Sequence, residues 1–280
     1  MAPRETPVLF DCYGETLLGI CHQPETTART GVVIVVGGPQ YRVGSHRQFV
    51  LLARYLAERG IAVFRFDYRG MGDSSGAALD FEQVTPDIRA AVDAFCRTCP
   101  ELENIVLWGL CDAASAILIY ALEQDNRITG QILLNPWVRT DEGIARVYLK
   151  TYYLQRLMDK NLWRKLLKGQ FAFRESWYSV RKMLGQVFVR KNDGSEEQGD
   201  LHYTKRMLKG LEAFKGNTLL ILSGKDMTAA EFRQHVDSSE SWRVVLEGDR
   251  ADQTTLSDAN HTFSKKQWKL AVSKLTQGFL

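Results

Sequence analysis

The sequence predicts an α/β fold, a mostly parallel central sheet with helices on both faces. Three observations carry that expectation. Short, mostly apolar runs recur at 32–36, 61–66, 105–108, 130–134 and 218–223, the first of them wholly apolar and β-branched. Between most of them lie stretches whose apolar residues repeat at helical spacing. The runs are nearly continuous rather than alternating, as strands covered on both faces are. The chain has 280 residues, 45% hydrophobic and 25% charged, which excludes a disordered or fibrous protein. It is long enough to bury a core without disulfides or metal. A formal charge of +3 gives no ground for a dedicated nucleic-acid binder.

Each element has its own local reason. Residues 8–12 and 16–21 flank Tyr13-Gly14, an N-terminal hairpin. The run 32–36 ends at Gly37-Gly38-Pro39, where a buried strand must stop. Residues 47–59 carry Phe49, Leu52, Ala53 and Leu56 on one helical stripe, closed by Gly60. Strand 61–66 follows, then helix 87–96 with Ile88, Ala91, Val92 and Phe95 on one side. Strand 105–108, helix 113–122 and strand 130–134 continue the alternation, which halts at Asn135 and resumes at 218–223. A helix near 229–236, a strand at 243–246 and a terminal helix at 265–276 complete the reading. Crossovers should be right-handed, and ligands should bind beyond the carboxyl ends of the strands.

The break in alternation marks an insert. Residues 135–216 hold 17 Lys and Arg against 9 Asp and Glu, and 12 of the 29 aromatics. The expected organisation is a core of 1–138 and 213–280 with a helical cap at 139–212. Tyr148, Tyr152, Leu154, Leu157 and Met158 outline one amphipathic helix, and Trp163, Leu166 and Leu167 another. Lys191-Asn192-Asp193-Gly194-Ser195 reads as a loop. The N-terminus has no apolar signal core, and Gly109 and Asp112 interrupt the longest apolar stretch, so no transmembrane segment is expected. Five cysteines, an odd number without an export signal, point to a cytoplasmic protein with free thiols.

Ile105-Val106-Leu107-Trp108 runs into Gly109-Leu110-Cys111-Asp112-Ala113, a strand, a sharp turn and a helix. This is the context of the nucleophile elbow, G-x-S-x-G, of α/β-hydrolases, with Cys111 at the nucleophile position and Ala113 in place of the last glycine. The plainer reading is a buried structural cysteine. In that fold the triad follows the chain order nucleophile, acid, histidine. Asp226, in Ser223-Gly224-Lys225-Asp226, directly follows strand 218–223, and His261 lies in the loop before the last helix. Asp249, Asp252 and Asp258 are the alternative acids, and Asp226 as a plain helix N-terminal acid is the bland account. His22, His202 and His235 fall in the hairpin, the insert and a helix, so they are poorer candidates.

The roles follow from chemistry. A thiol is mostly protonated at neutral pH, and a neighbouring imidazole takes its proton. The helix N-terminus beyond the elbow favours the thiolate, and the acid orients the imidazole. The oxyanion of the tetrahedral intermediate needs donors. The backbone N–H of Asp112 is one; Gln40, after the first parallel strand, is the expected other, because Pro39 has no N–H. Gly38, Tyr41, Arg42, His46 and Trp137 are the expected pocket residues. Asp67-Tyr68-Arg69-Gly70-Met71-Gly72-Asp73-Ser74 reads as a structural turn and fold marker. Cys96-Arg97-Thr98-Cys99 lacks the further ligands a zinc site needs, so no metal or cofactor is implied.

Together these residues, with Gly37-Gly38-Pro39-Gln40-Tyr41-Arg42, Gly44-Ser45-His46-Arg47-Gln48-Phe49 and Asn260-His261-Thr262-Phe263, resemble the exosortase A system-associated hydrolases of the first type. The resemblance spans nearly the whole chain and is weakest over 139–212. It implies an α/β-hydrolase fold with a cysteine nucleophile and leaves the substrate open.

A sulfur nucleophile makes a thioester acyl-enzyme. Three function classes fit: a thioesterase- or esterase-like hydrolase, an acyltransferase or condensing enzyme using an amine, alcohol or thiol acceptor, and a non-catalytic binding protein on a hydrolase scaffold. The substrate is an acyl ester or thioester, and the basic insert fits a donor carried on an acyl carrier protein or coenzyme A. Oligomeric state is not legible.

Overall fold

The computed structural model describes residues 3–38, 40–138 and 202–280. By compactness the chain divides into residues 1–138 with 202–280, and residues 139–201; the latter lie outside the described residues, and with them most of the expected cap. The first unit is built on one eight-stranded sheet in the order β1-β2-β4-β3-β5-β6-β7-β8.

Strands β1 (Arg4–Cys12) and β2 (Glu15–Gln23) form the expected hairpin. Its two loop residues, Tyr13 and Gly14, have φ of 55° and 80°. Such a turn needs left-handed backbone at both positions to match the strand twist. Strand β3 (Thr30–Val35) leads through a loop to helix α1 (Gln48–Ala57), then β4 (Ala62–Phe66), α2 (Thr85–Thr98), β5 (Asn104–Leu110), α3 (Asp112–Tyr120) and β6 (Ile128–Leu134). After the insert come α4 (Tyr203–Ala213), β7 (Asn217–Ser223), α5 (Met227–Asp237), α6 (Glu240–Leu246), β8 (Ala251–Leu256) and α7 (Lys266–Phe279). From β4 to β8 every neighbouring pair is parallel; β1 and β2 are the antiparallel edge.

Successive side chains on β3 divide between two cores. Val33 and Val35 join Phe64, Phe95, Leu107 and Met207 on one face of the sheet, and Val32 and Ile34 join Phe49, Trp108, Ile221 and Phe263 on the other. This is the period of two expected of a strand buried on both faces.

Two expectations need correction. Residues 243–246 are not a strand but the end of α6: Trp242 and Leu246 are buried four residues apart while Val244 between them is exposed, which is helical spacing. The sheet closes instead on β8, which follows that helix. The core also resumes earlier than residue 213, because α4 packs on α3 and contributes buried Met207 and Leu211.

The turn 67–74 is structural, as expected. Buried Asp67 accepts from the Arg42 backbone N–H at 2.6 Å, pairs with the Arg42 guanidinium, and accepts from the Asp73 N–H at 3.2 Å. Arg69 makes a fork to buried Asp87 at 3.0 and 2.7 Å. Gly72 is required at φ 54°, because a Cβ there would lie 2.3 Å from an Asp67 carboxylate oxygen.

Candidate active site

The β5–α3 connection turns within one residue. Cys111 has φ 64° and ψ −128°, a conformation that costs a non-glycine residue of order 1–3 kcal/mol. Neighbours hold it there. Its backbone N–H donates to Leu134 O at 2.9 Å on β6, and its carbonyl accepts from Trp137 N at 3.2 Å. Gly109 lets the helix close on the strand: a Cβ there would meet Ile117 Cδ1 at 2.7 Å and Ala113 C at 2.9 Å. The strain thereby presents the half-buried thiol at the carboxyl edge of the sheet.

The acid and the histidine arrive from β7 and β8. Asp226 is the N-cap of α5 and accepts from Thr228 N at 3.3 Å and Ala229 N at 3.1 Å. His261 Nδ1 donates to Asp226 Oδ2 at 2.8 Å. The Asp226 hydrogen bond, and after it a hydrogen bond with the Cys111 thiol, push the imidazole up from 6.5 to about 10. The three side chains therefore meet in the order thiol, imidazole, carboxylate. Asp258 pairs instead with Lys225 Nζ at 2.8 Å, and Asp249 and Asp252 are exposed. Of the other histidines, buried His22 accepts from Arg65 Nε at 2.9 Å, His202 Nδ1 contacts Thr204 Oγ1 at 2.8 Å, and His235 packs on Trp242.

The oxyanion region differs from the sequence expectation at one residue. The Gln40 N–H is spent on Gly38 O at 2.8 Å, and its side-chain oxygen accepts from Ser45 N at 3.0 Å. Both of these groups of Gln40 are therefore engaged within its own loop. The Gly38 N–H reaches across instead and donates to Asp112 Oδ2 at 2.7 Å. Asp112 Oδ1 accepts from Ala113 N at 3.0 Å, and the Asp112 N–H also acts on its own carboxylate. Burial, more than anything else, raises the Asp112 carboxyl above the ordinary range.

The expected pocket residues divide. Trp137 lies beside the elbow, its ring stacked on Tyr203 at 5.7 Å and edge-on to Phe81 at 5.4 Å. The Arg42 guanidinium pairs with Asp67 and Asp73. Tyr41 is exposed beside it, and the His46 carbonyl accepts from Lys269 Nζ at 3.1 Å. A cavity of about 410 Å³ lined by Tyr120, Gln124, Ile128, Phe214 and Asn217 lies at the amino ends of β6 and β7, the wrong end of the strands for this chemistry.

Asn135 and Ser223 carry a role that no motif announced. Asn135 is buried at φ 43°; its Nδ2 donates to Ser223 Oγ at 2.9 Å and to His261 O at 3.0 Å, and its Oδ1 accepts from Ser223 N at 2.8 Å. Ser223 Oγ donates to Asn260 O at 3.0 Å. The pair ties the histidine loop to the ends of β6 and β7. The only sequence signal was the position of Asn135, where alternation stopped.

Among the described residues no group of three or more His, Cys, Asp or Glu is placed to hold a metal, and no helix is long and apolar enough to cross a membrane.

Known proteins place this fold. Over 46% of its length the chain is 30% identical to the quorum-quenching protein AidA of Acinetobacter baumannii, a match that spans 43% of AidA. The esterase Pf2001 of Pyrococcus furiosus superposes over 99% of this chain and 90% of its own, with a TM-score of 0.65 and 17% identity. Est1E of Butyrivibrio proteoclasticus, solved with ferulic acid, superposes over 97% and 98% with a TM-score of 0.61 and 15% identity. These likenesses show the α/β-hydrolase fold. The family model described as serine aminopeptidase, S33, matches residues 27–237, and the chain belongs to that family of α/β-hydrolase enzymes.

Proposed function

We propose that this chain is an acyl-transfer hydrolase acting on an ester or thioester through a covalent acyl-enzyme on Cys111, with His261 as base and then acid and Asp226 as its orienting partner. The observation that carries the reading is the left-handed backbone of Cys111 at the strand-to-helix bend, with an imidazole on the thiol and a carboxylate on that imidazole. A structural cysteine has no need of that strain or of that partner. The family is named for serine; the likeness of the motifs to exosortase A system-associated hydrolases supports sulfur as the attacking atom here.

In acylation the Cys111 Sγ bonds to the carbonyl carbon while His261 holds the thiol proton. The tetrahedral intermediate collapses, the carbon–oxygen or carbon–sulfur bond to the leaving group breaks, and His261 returns the proton to that group. In deacylation His261 takes a proton from water, which attacks the thioester carbon and releases the carboxylic acid and the free thiol. Transfer to an amine, alcohol or thiol replaces water in the same step. A thioester donor suits this chemistry because exchange of one thioester for another is nearly balanced. A cytoplasmic location and a carrier-borne acyl donor fit free thiols and a basic insert.

Intact mass of the protein incubated with a panel of short acyl esters and acyl thioesters tests this. One acyl group should be added, peptide mapping should place it on Cys111, and Cys111→Ala should keep its fold while losing both adduct and turnover. Mapping matters because Cys99, 3.7 Å from the Cys21 sulfur and lowered by that contact to about 7, is a second thiol that an acyl donor could label. Loss of the acyl group to water alone identifies a hydrolase, and loss only with an added acceptor identifies a transferase. A folded protein that never acylates at Cys111 overturns the reading.

A further inference from the structure

The peptide N–H groups that face the elbow are occupied by the protein itself. Gly38 N, on the loop after β3, donates to the carboxylate of Asp112 at 2.7 Å, the Asp112 N–H of the elbow acts on that same carboxylate, and Ala113 N, next along α3, donates to it at 3.0 Å. Resting on the reading of Cys111 as nucleophile, we propose that Asp112 is a latch on the oxyanion cradle: its carboxylate holds these donors in the resting enzyme, and an acyl carbonyl is activated only once the carboxylate has left them.

Three features argue for a latch rather than a helix-terminal acid. An acid in the first turn needs only its own helix to be favourable. Asp112 reaches beyond that helix to a donor on another loop, the one where the second oxyanion donor of this fold arises. The second feature is the room made for it. A Cβ on Gly37 would sit 2.2 Å from Asp112 Oδ1, nearer than to the backbone atoms Leu110 O at 2.7 Å and Ala113 N at 2.9 Å, so glycine at 37 leaves room for both the elbow and the carboxylate. The third is charge. Two anions on the same donors repel, as paired carboxylates in one site do, so a carboxylate and a developing oxyanion do not share this cradle. The buried Tyr68 hydroxyl, without a partner among the described residues, feels the Asp112 charge and is a donor not yet spent.

The resting site is thus complementary to an anion and already filled by one, so a simple ester meets a cradle that must first be vacated. Asp112 is a positioning residue in this account. Its side chain forms no bond with substrate, and it sets how readily the donors are released.

The test is a single-turnover time course of Cys111 acylation by a short p-nitrophenyl ester, followed by released nitrophenol and by intact mass. It compares the wild type with Asp112→Ala and Asp112→Asn. Asp112→Ala is expected to acylate at least about tenfold faster at saturating ester, part of the ~10²–10³ that one oxyanion donor is worth, with little change in the half-saturating ester concentration. Asp112→Asn, neutral but still an acceptor, should fall between. A purely structural aspartate gives variants that melt lower and acylate no faster. Equal or slower acylation in Asp112→Ala, with Cys111 still the labelled residue, overturns the latch and leaves the nucleophile assignment standing. If Asp112→Ala does not fold, Asp112→Asn decides by the same criterion. Absence of any adduct on Cys111 in the wild type and both variants overturns the nucleophile reading and the latch with it.

Discussion

His261 is the residue on which pH acts most directly. Asp226 and Cys111 raise its imidazole from 6.5 to about 10, so the folded state binds a proton more tightly than the unfolded chain. The sign follows from that difference. The stability it contributes is fully present below pH 6.5 and is lost as pH rises through about 10. Asp226→Asn keeps a cap on α5 but removes the charge that holds the proton, so thermal melts from pH 6 to 10 should lose most of this slope. Acylation by the wild type should fall as pH passes about 10, where the ring no longer has a proton to give the leaving group, and in Asp226→Asn that limb should move to lower pH. Chain order and loop position made Asp226 and His261 legible in the sequence, since both chemistry and fold constrain them. That the Gln40 N–H is taken up within its own loop was not legible, because it depends on a local turn that closes between Gln40 and Gly38. Asn135 was not legible either, because its partners lie 88 and 126 residues away. Asn135→Ala leaves the Ser223 N–H without its acceptor. It should cost about 1–3 kcal/mol in a denaturant titration and lower acylation at Cys111 by loosening the histidine loop.

At the scale of elements, β5, the elbow and α3 act as one unit. Its tightness comes from small residues: Gly109, Ala113 and Ala114 let α3 lie close on the sheet, with Ala113 and Ala114 fully buried. Gly109→Ala would place a methyl 2.7 Å from Ile117 Cδ1 and 2.9 Å from Ala113 C. One of those contacts is a movable side-chain end and the other is backbone, so α3 itself must shift. The expected loss is about 1–3 kcal/mol of stability, with a larger proportional fall in acylation because the shift displaces Cys111. Circular dichroism melts and the single-turnover assay separate the two effects. The same scale explains the misassigned segment near the C-terminus. Strand β8, Ala-Asp-Gln-Thr-Thr-Leu, has no fully buried residue and hence no apolar run for a sequence reading to find. Arg243-Val244-Val245-Leu246 offered an apolar, β-branched run that mimics a strand, but Trp242 and Leu246 seat it as a helix on the core. Hydrophobic pattern identified the five central strands because they are covered on both faces, and it failed at the edge strand β8, where only Ala251 and Leu256 at its two ends pack on the cores.

For the molecule as a whole, charge is distributed by segment. Residues 135–216 carry 17 Lys and Arg against 9 Asp and Glu, while the entire chain nets only +3, so the rest of the chain is net acidic. A near-neutral total therefore conceals a strongly basic stretch. A basic segment accelerates encounter with an acidic macromolecule and does little for a small neutral ester. This gives an internal control within one protein. If the acyl group arrives on an acidic carrier protein, the second-order acylation rate of Cys111 should fall steeply as salt rises from about 0.05 to 0.5 M, because surface charges more than ~10 Å apart are largely screened by 0.1 M. Acylation by a p-nitrophenyl ester of the same acyl group should stay nearly flat over that range, since salt does not act on a neutral donor. Replacing Lys and Arg at 164, 165 and 168 by Gln should flatten the carrier-protein curve and leave the ester curve in place. Parallel curves for the two donors, or a carrier-protein rate unmoved by salt, would remove steering and leave those charges the ordinary task of solvating the surface.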